Sequence, residues 1–139
     1  MGTTAEESNK REEVDYSDAL AESVAEAAWD RKALGLRAIN MRGLVSYTDV
    51  LVICSGTSDR HVAAISESIE AALKEEEIRP LGVEGRQDCR WVLMDYGDVV
   101  VHIFLDEERD VYGIDNLWAE APDLELDQPE GLERPSFSY

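Results

Sequence analysis

The amino-acid sequence predicts one small α/β (α+β) domain: a mixed β-sheet of about five strands with helices packed on it. Three stretches carry that prediction. VLVICSG (50–56) is an unbroken apolar run, rich in β-branched residues and bounded by Asp49 and Gly56. Such a run suits a strand covered on both faces, hence one in the middle of a sheet. Residues 58–77 repeat Val62, Ile65, Ile69 and Leu73 at helical spacing. CRWVLMD (89–95) and DVVVHIFL (98–105), joined through Tyr96-Gly97, read as a hairpin.

The elements follow in order. Residues 1–16 are polar, with only Val14 and Tyr16 as larger apolar groups, and are expected to be disordered. Ser17 or Asp18 is the expected cap of a first helix, in which Leu20, Val24, Ala27 and Ala28 share a face. Gly35 ends that helix, with Arg31 and Lys32 in its last turn. LRAINM (36–41) is a short strand, and RGLVSYTD (42–49) is the loop into the central run. Thr57 or Ser58 caps the helix over 58–77, whose polar face carries Glu67, Glu70, Lys74 and Glu77, and Pro80 closes it. LGVEG (81–85) is a third strand, and GRQD (85–88) turns into the hairpin. DEERDVYGIDNLW (106–118) forms one or two short helices, with Asp106 as cap. From Ala119 onward the chain holds three of its four prolines and little periodicity, so it reads as a tail. The domain is thus expected over 17–120, between an acidic segment at 1–16 and an acidic, proline-containing tail at 121–139.

Charge narrows the function. The formal net charge is −18 over 139 residues, and it is uneven. Residues 1–18 hold six acids and two bases, 19–104 hold fourteen and nine, and 105–139 hold eleven and two. The balance argues against a phosphate-tracking nucleic-acid binder, which needs a basic stripe, and favours basic protein partners. The acidic ends read by default as solvating segments. Cys54 and Cys89 each sit in an apolar run without a CxxC pair, as reduced thiols of a cytoplasmic protein do. No apolar stretch approaches the roughly 20 residues that span a bilayer. The acid-rich N-terminus resembles neither a secretory signal nor a transit peptide, and Glu6 stands where myristoylation wants Ser or Thr.

Catalytic patterns are weak. CSGTSDRHV (54–62) runs from a strand through Gly56 into a capped helix, where Ser55, Thr57 and Ser58 could cradle a phosphate. It lacks the spacing of a phosphate loop or a dinucleotide fold. Paired metal-binding aspartates are missing from the central strands, and no GxSxG elbow occurs. His61 and His102, the only histidines, are not at ligand spacing, so no metal and no cofactor are expected. Asp95 and Asp98 are explained as turn formers around Gly97.

The hairpin register decides what its faces show. A two-residue turn at Tyr96-Gly97 opposes 95 with 98, 93 with 100 and 91 with 102. One face then carries Val92, Met94, Val99, Val101 and Ile103, suited to the core. The other carries Trp91, Leu93, Asp95, Asp98, Val100, His102 and Phe104, a mixed surface suited to a partner. A three-residue turn with a bulge at Gly97 is the competing geometry; it pairs Trp91 with Val101 and makes it a core residue.

RGLVSYTDVLVICSGTSDRHVAAI, VEG, WVLMDYGDVVVHIF and ERDVYGIDNLW together resemble the ribosomal silencing factor (Iojap) family, over about residues 18–120. The resemblance implies a small α/β domain of nucleotidyltransferase-like topology without catalytic acids. It implies a non-enzymatic translational repressor that binds the large ribosomal subunit through ribosomal protein L-fourteen and blocks small-subunit joining. Self-association of the free protein is implied as well. Carried over by position, the partner surface would be Trp91, Val92, Leu93, Asp95, Tyr96, Gly97, Asp98, Val100 and His102, with Arg86 and Tyr112 at its edge. Val50-Leu51 departs from the aromatic pair that often follows the family's Asp, a change within a core strand. The alternative is a phosphate- or nucleotide-handling enzyme of the same fold, built on Ser55, Thr57 and Ser58.

Overall fold

Unbroken apolar runs end where both faces of a sheet are covered. A computed structural model describes residues 5–135, and side chains from Tyr16 to Pro135. The chain runs α1 (Ala5–Trp29), β1 (Leu34–Asn40), β2 (Val50–Gly56), α2 (Asp59–Glu75), β3 (Gly82–Glu84), β4 (Trp91–Asp95), β5 (Val99–Leu105), α3 (Asp106–Tyr112) and α4 (Ile114–Leu117). The sheet order is β1-β2-β5-β4-β3. β2 is buried throughout and β5 everywhere but Leu105; they pair in parallel at the centre, Val52 beside Val101. The other described pairings are antiparallel, so this is the expected mixed sheet of five strands.

One face of the sheet is covered by α1 and α2. Val52, Val101 and Ile103 meet Leu20, Val24 and Ala28 of α1 and Ile65, Ile69 and Leu73 of α2. The stripe expected on α2 is the buried stripe observed. Ser58 caps this helix, its Oγ accepting the His61 N–H at 3.1 Å. Thr57 instead donates its N–H to His61 Nδ1 at 2.9 Å. The other ring nitrogen, Nε2, donates to the Arg31 carbonyl at 2.6 Å, tying the start of α2 to the end of α1.

The chain ends differ from the expectation. α1 begins at Ala5, twelve residues ahead of Ser17. Residues 5–16 contain no Gly or Pro and are rich in Glu, Lys and Arg, so helix propagates through a stretch whose polarity suggested disorder. The remaining part of that segment, residues 1–4, lies outside the described residues. Ser17 and Asp18 are not caps. Buried Ser17 donates to Asp49 Oδ2 at 2.8 Å, and Asp18 pairs with Arg42 at 3.0 Å, so both fasten the loop between β1 and β2. Asp106 is not a cap either: it is the first residue of α3, and Leu105 precedes it with no side-chain cap.

The tail is a strap laid along β1, the outer strand. The Asn40 N–H donates to the Pro122 carbonyl at 2.8 Å, and the Leu124 N–H donates to the Ala38 carbonyl at 2.7 Å. Arg37 pairs with Asp123 at 2.8 Å, and Leu124 and Leu126 pack on the helix-side core. Further on, the Gly35 N–H donates to the Leu132 carbonyl at 2.7 Å. The strap satisfies backbone groups that an open sheet edge leaves bare. Its own periodicity is weak because β1, not an internal face, organises it.

The hairpin turn lies one residue later than expected. Tyr96 donates its N–H to the Val99 carbonyl at 2.9 Å, leaving Gly97-Asp98 as the turn. Gly97 stands first in it at φ +82°, a value that suits glycine in the primed hairpin turns. Trp91 therefore opposes Phe104, Leu93 opposes His102, and Asp95 opposes Val100. Every partner moves by two residues, and a shift of two keeps each side chain on its expected face. The bulged alternative that pairs Trp91 with Val101 is not adopted. Tyr96 explains the move: it continues the Val92, Met94 row, and its ring is buried on the helix side.

Candidate functional site

The second face of the sheet has a smaller core, built from Ile39, Met41, Leu51, Ile53, Val100 and Phe104. Among the described residues no long helix lies over it. Ile114, Trp118 and Ala121 cover one part, Val45 another, and Trp91 and Leu93 pack at its hairpin side. Trp91, Phe104 and Tyr112 form an aromatic cluster: the Trp91 ring lies 5.1 Å from Phe104 and 4.4 Å from Tyr112. Phe104 is fully buried, Trp91 partly so, and Tyr112 is half exposed. The cluster thus grades from core to solvent across three rings. Such an edge can bury further aromatic area against a partner.

Trp91 and His102 act as a unit. The indole Nε1–H donates to His102 Nδ1 at 2.9 Å across the diagonal of the hairpin. The proton of the neutral imidazole is therefore on Nε2. Burial pushes the His102 pKa down to about 4, so the ring is neutral near pH 7. Its basic lone pair is engaged by the tryptophan, and it orients that ring.

The remaining candidates divide between the two faces. Leu93, Asp95 and Val100 share the Trp91 face, Val100 nearly buried beneath it. Asp95 Oδ1 accepts the Gly97 N–H at 2.8 Å, the turn-forming role its position suggests. Asp98 is exposed, and its carbonyl accepts the Asp49 and Val50 N–H groups at 3.0 Å each, aligning the start of β2. Val92 and Tyr96 lie in the helix-side core. Burial pushes the Tyr96 phenol up to about 12, with Glu70 adding to the shift. Arg86 pairs with Glu70 of α2 at 3.0 Å, which places it toward the helices and away from Trp91.

Sequence reasoning missed Arg109. It is buried, and its guanidinium holds Asp115 with two bonds, Nε to Oδ2 at 2.8 Å and Nη2 to Oδ1 at 2.9 Å. It also donates to Ser55 Oγ at 3.1 Å. Burial raises the Asp115 pKa, but Arg109 and then Arg37 outweigh it and hold the carboxyl below its usual range. A lone cation inside the acidic run DEERD was the available signal. Leu44 and Tyr47 are exposed on the loop whose Val45 packs on the second core.

The phosphate-cradle alternative finds its groups engaged. Ser55 is fully buried against Arg109, Ser58 caps α2, and the Thr57 N–H is bound to His61. Among the described residues no group of three or more His, Cys, Asp or Glu could hold a metal ion.

Comparison with known proteins identifies the family. Residues 14–138 match the family described as ribosomal silencing factor during starvation. The ribosomal silencing factor of Bacillus subtilis is 41% identical over 103 residues, 74% of this chain and 87% of that protein. A crystal structure of a protein from Bacillus halodurans matches with a TM-score of 0.71 at 38% identity, covering 78% of this chain and 99% of that one. A mouse protein named mitochondrial assembly of ribosomal large subunit protein 1 is 36% identical over 75 residues, 52% of this chain and 33% of that protein. The five-stranded mixed sheet, a fold shared with that crystal structure, and the match along nearly the whole chain lead to one conclusion: the chain belongs to the ribosomal silencing factor family.

Proposed function

We propose that the protein silences translation by docking on the large ribosomal subunit, through ribosomal protein L-fourteen, and sterically blocking small-subunit joining. The observation that carries this reading is the graded aromatic edge, Phe104 to Trp91 to Tyr112, on the sheet face without a long helix. Trp91 and Leu93 supply apolar contact area, Tyr112 the wall, and Asp95 and Asp98 at the turn meet Lys or Arg of a basic ribosomal protein. Val92 and Tyr96 support that surface from behind, and Gly97 shapes its rim. Arg86 acts indirectly, through its pair with Glu70. The action needs affinity and a footprint and involves no turnover. It takes place in the cytoplasm, and self-association of the free protein would compete with docking.

Sucrose-gradient sedimentation with purified ribosomal subunits tests the reading. The protein should travel with the large subunit and lower the fraction of joined ribosomes. Trp91→Ala should weaken large-subunit binding by about 30-fold or more, the scale of an interface hot spot. Leu93→Glu, which leaves the Trp91–His102 bond intact, should do the same in a protein of undisturbed fold. Normal binding by both variants refutes the site.

A further inference from the structure

The outer wall of the docking face is Tyr112, in the last turn of α3, with its ring 4.4 Å from that of Trp91. α3 has seven residues and no side-chain cap, so it cannot hold itself in place. Two arginines fasten it from different sides. Arg109, a residue of α3 itself, anchors it inward by reaching Asp115 of α4 and Ser55 of β2. Arg134, at the far end of the strap, grips it from outside. Arg134 Nε donates to Asp106 Oδ1 at 2.7 Å, and Nη2 donates to the Asp106 carbonyl at 3.2 Å. Its Nη1 and Nη2 each donate to an oxygen of Asp110 at 3.1 Å. Asp106 and Asp110 are one turn apart, so a single guanidinium spans the start of α3.

The strap delivers Arg134 by a defined route. Leu132 is bonded to Gly35, and the Arg134 stem lies so close to Gly35 that a Cβ there would collide with its Cγ. Gly35 also has φ +53°, so this approach calls for glycine twice over. Asp106, Glu107, Glu108 and Asp110 crowd one short helix, and a cation clamped on two of them relieves their repulsion.

We propose that Arg134 is a positioning residue of the docking face: its clamp on Asp106 and Asp110 seats α3 so that Tyr112 packs on Trp91. The inference rests on the docking reading above, and the test separates the two. In the full chain, two quantities are read: affinity for the large subunit, and the NMR resonance of the Trp91 indole N–H, assigned with Trp91→Phe. Arg134→Glu should move the resonance and lower affinity about fivefold, the scale of an exposed ion pair. Adding Asp110→Arg should restore both in part, because it rebuilds the Asp110 half of the clamp with its charges exchanged while Asp106 still faces the introduced carboxylate. Unchanged affinity in Arg134→Glu overturns the proposal, as does a loss with an unmoved resonance or a loss that the exchange fails to repair. Trp91→Ala is measured alongside. If it binds normally the docking face itself is misplaced; if it fails to bind while Arg134→Glu binds normally, only the clamp is refuted.

Discussion

His102 shows how one side chain can be both a support and a pH liability. Its Nδ1 orients Trp91, and burial holds its pKa at about 4 against 6.5 for a free histidine. Between those values the unfolded chain binds a proton that the folded chain refuses. Stability therefore falls as pH drops from about 6.5 to about 4, by at most about 3 kcal/mol. His102→Asn keeps an acceptor for the indole and removes the titration. Urea unfolding at pH 6.5 and pH 4.5 should show a smaller loss of stability for the variant than for the parent. Equal losses would mean that the imidazole is not the group responsible.

The elements differ in how legible they were. β2 and α2 were read nearly to the residue, because burial on two faces and a 3.6-residue stripe leave strong local patterns. The hairpin was legible as a pair of faces but not as a register, since Tyr96-Gly97 and Gly97-Asp98 are both plausible turns by composition. Burial of the Tyr96 ring decided between them, and that depends on helices distant in sequence. The strap was illegible for a similar reason: its partner is β1, more than eighty residues earlier. Of the candidate site, Trp91, Leu93 and Tyr112 came through the family motif, whereas Arg134 acts through Asp106 and Asp110, more than twenty residues earlier. Arg109, though Asp115 is only six residues on, also reaches Ser55 on β2. Gly85 tests the local geometry of this region. It has φ +89°, and a Cβ there would strike the Trp91 carbonyl oxygen, just where β4 begins. Gly85→Ala should cost about 2 kcal/mol or more, measured by denaturant unfolding, because strain and a backbone clash add. A change below about 0.5 kcal/mol would show that the loop relaxes freely.

On the scale of the molecule, charge and shape are distributed together. The helix-covered side and the strap carry exposed Glu22, Glu26, Glu125 and Asp127, while the opposite face offers aromatic rings. On the docking proposed above, a protein that reaches a basic protein set in RNA gains from repelling RNA on its other sides. Deleting the strap would confound this test, since it also bares the β1 edge. Neutralising Glu125, Asp127 and Glu130 in place, as Gln, Asn and Gln, keeps the backbone bonds. That variant should bind unstructured RNA more strongly at low salt in a filter-retention assay, and unchanged retention would discard the idea of a guard.

The parallel pairing of β2 with β5 also has a consequence in time. About forty residues separate the end of one strand from the start of the other, so their contact closes a long loop. The β4–β5 hairpin and α2 can form from neighbours, but the centre of the sheet must wait for that closure. Until it happens β2 and β5 each stand with one apolar edge open, and the interval after synthesis is when this protein is most exposed to aggregation.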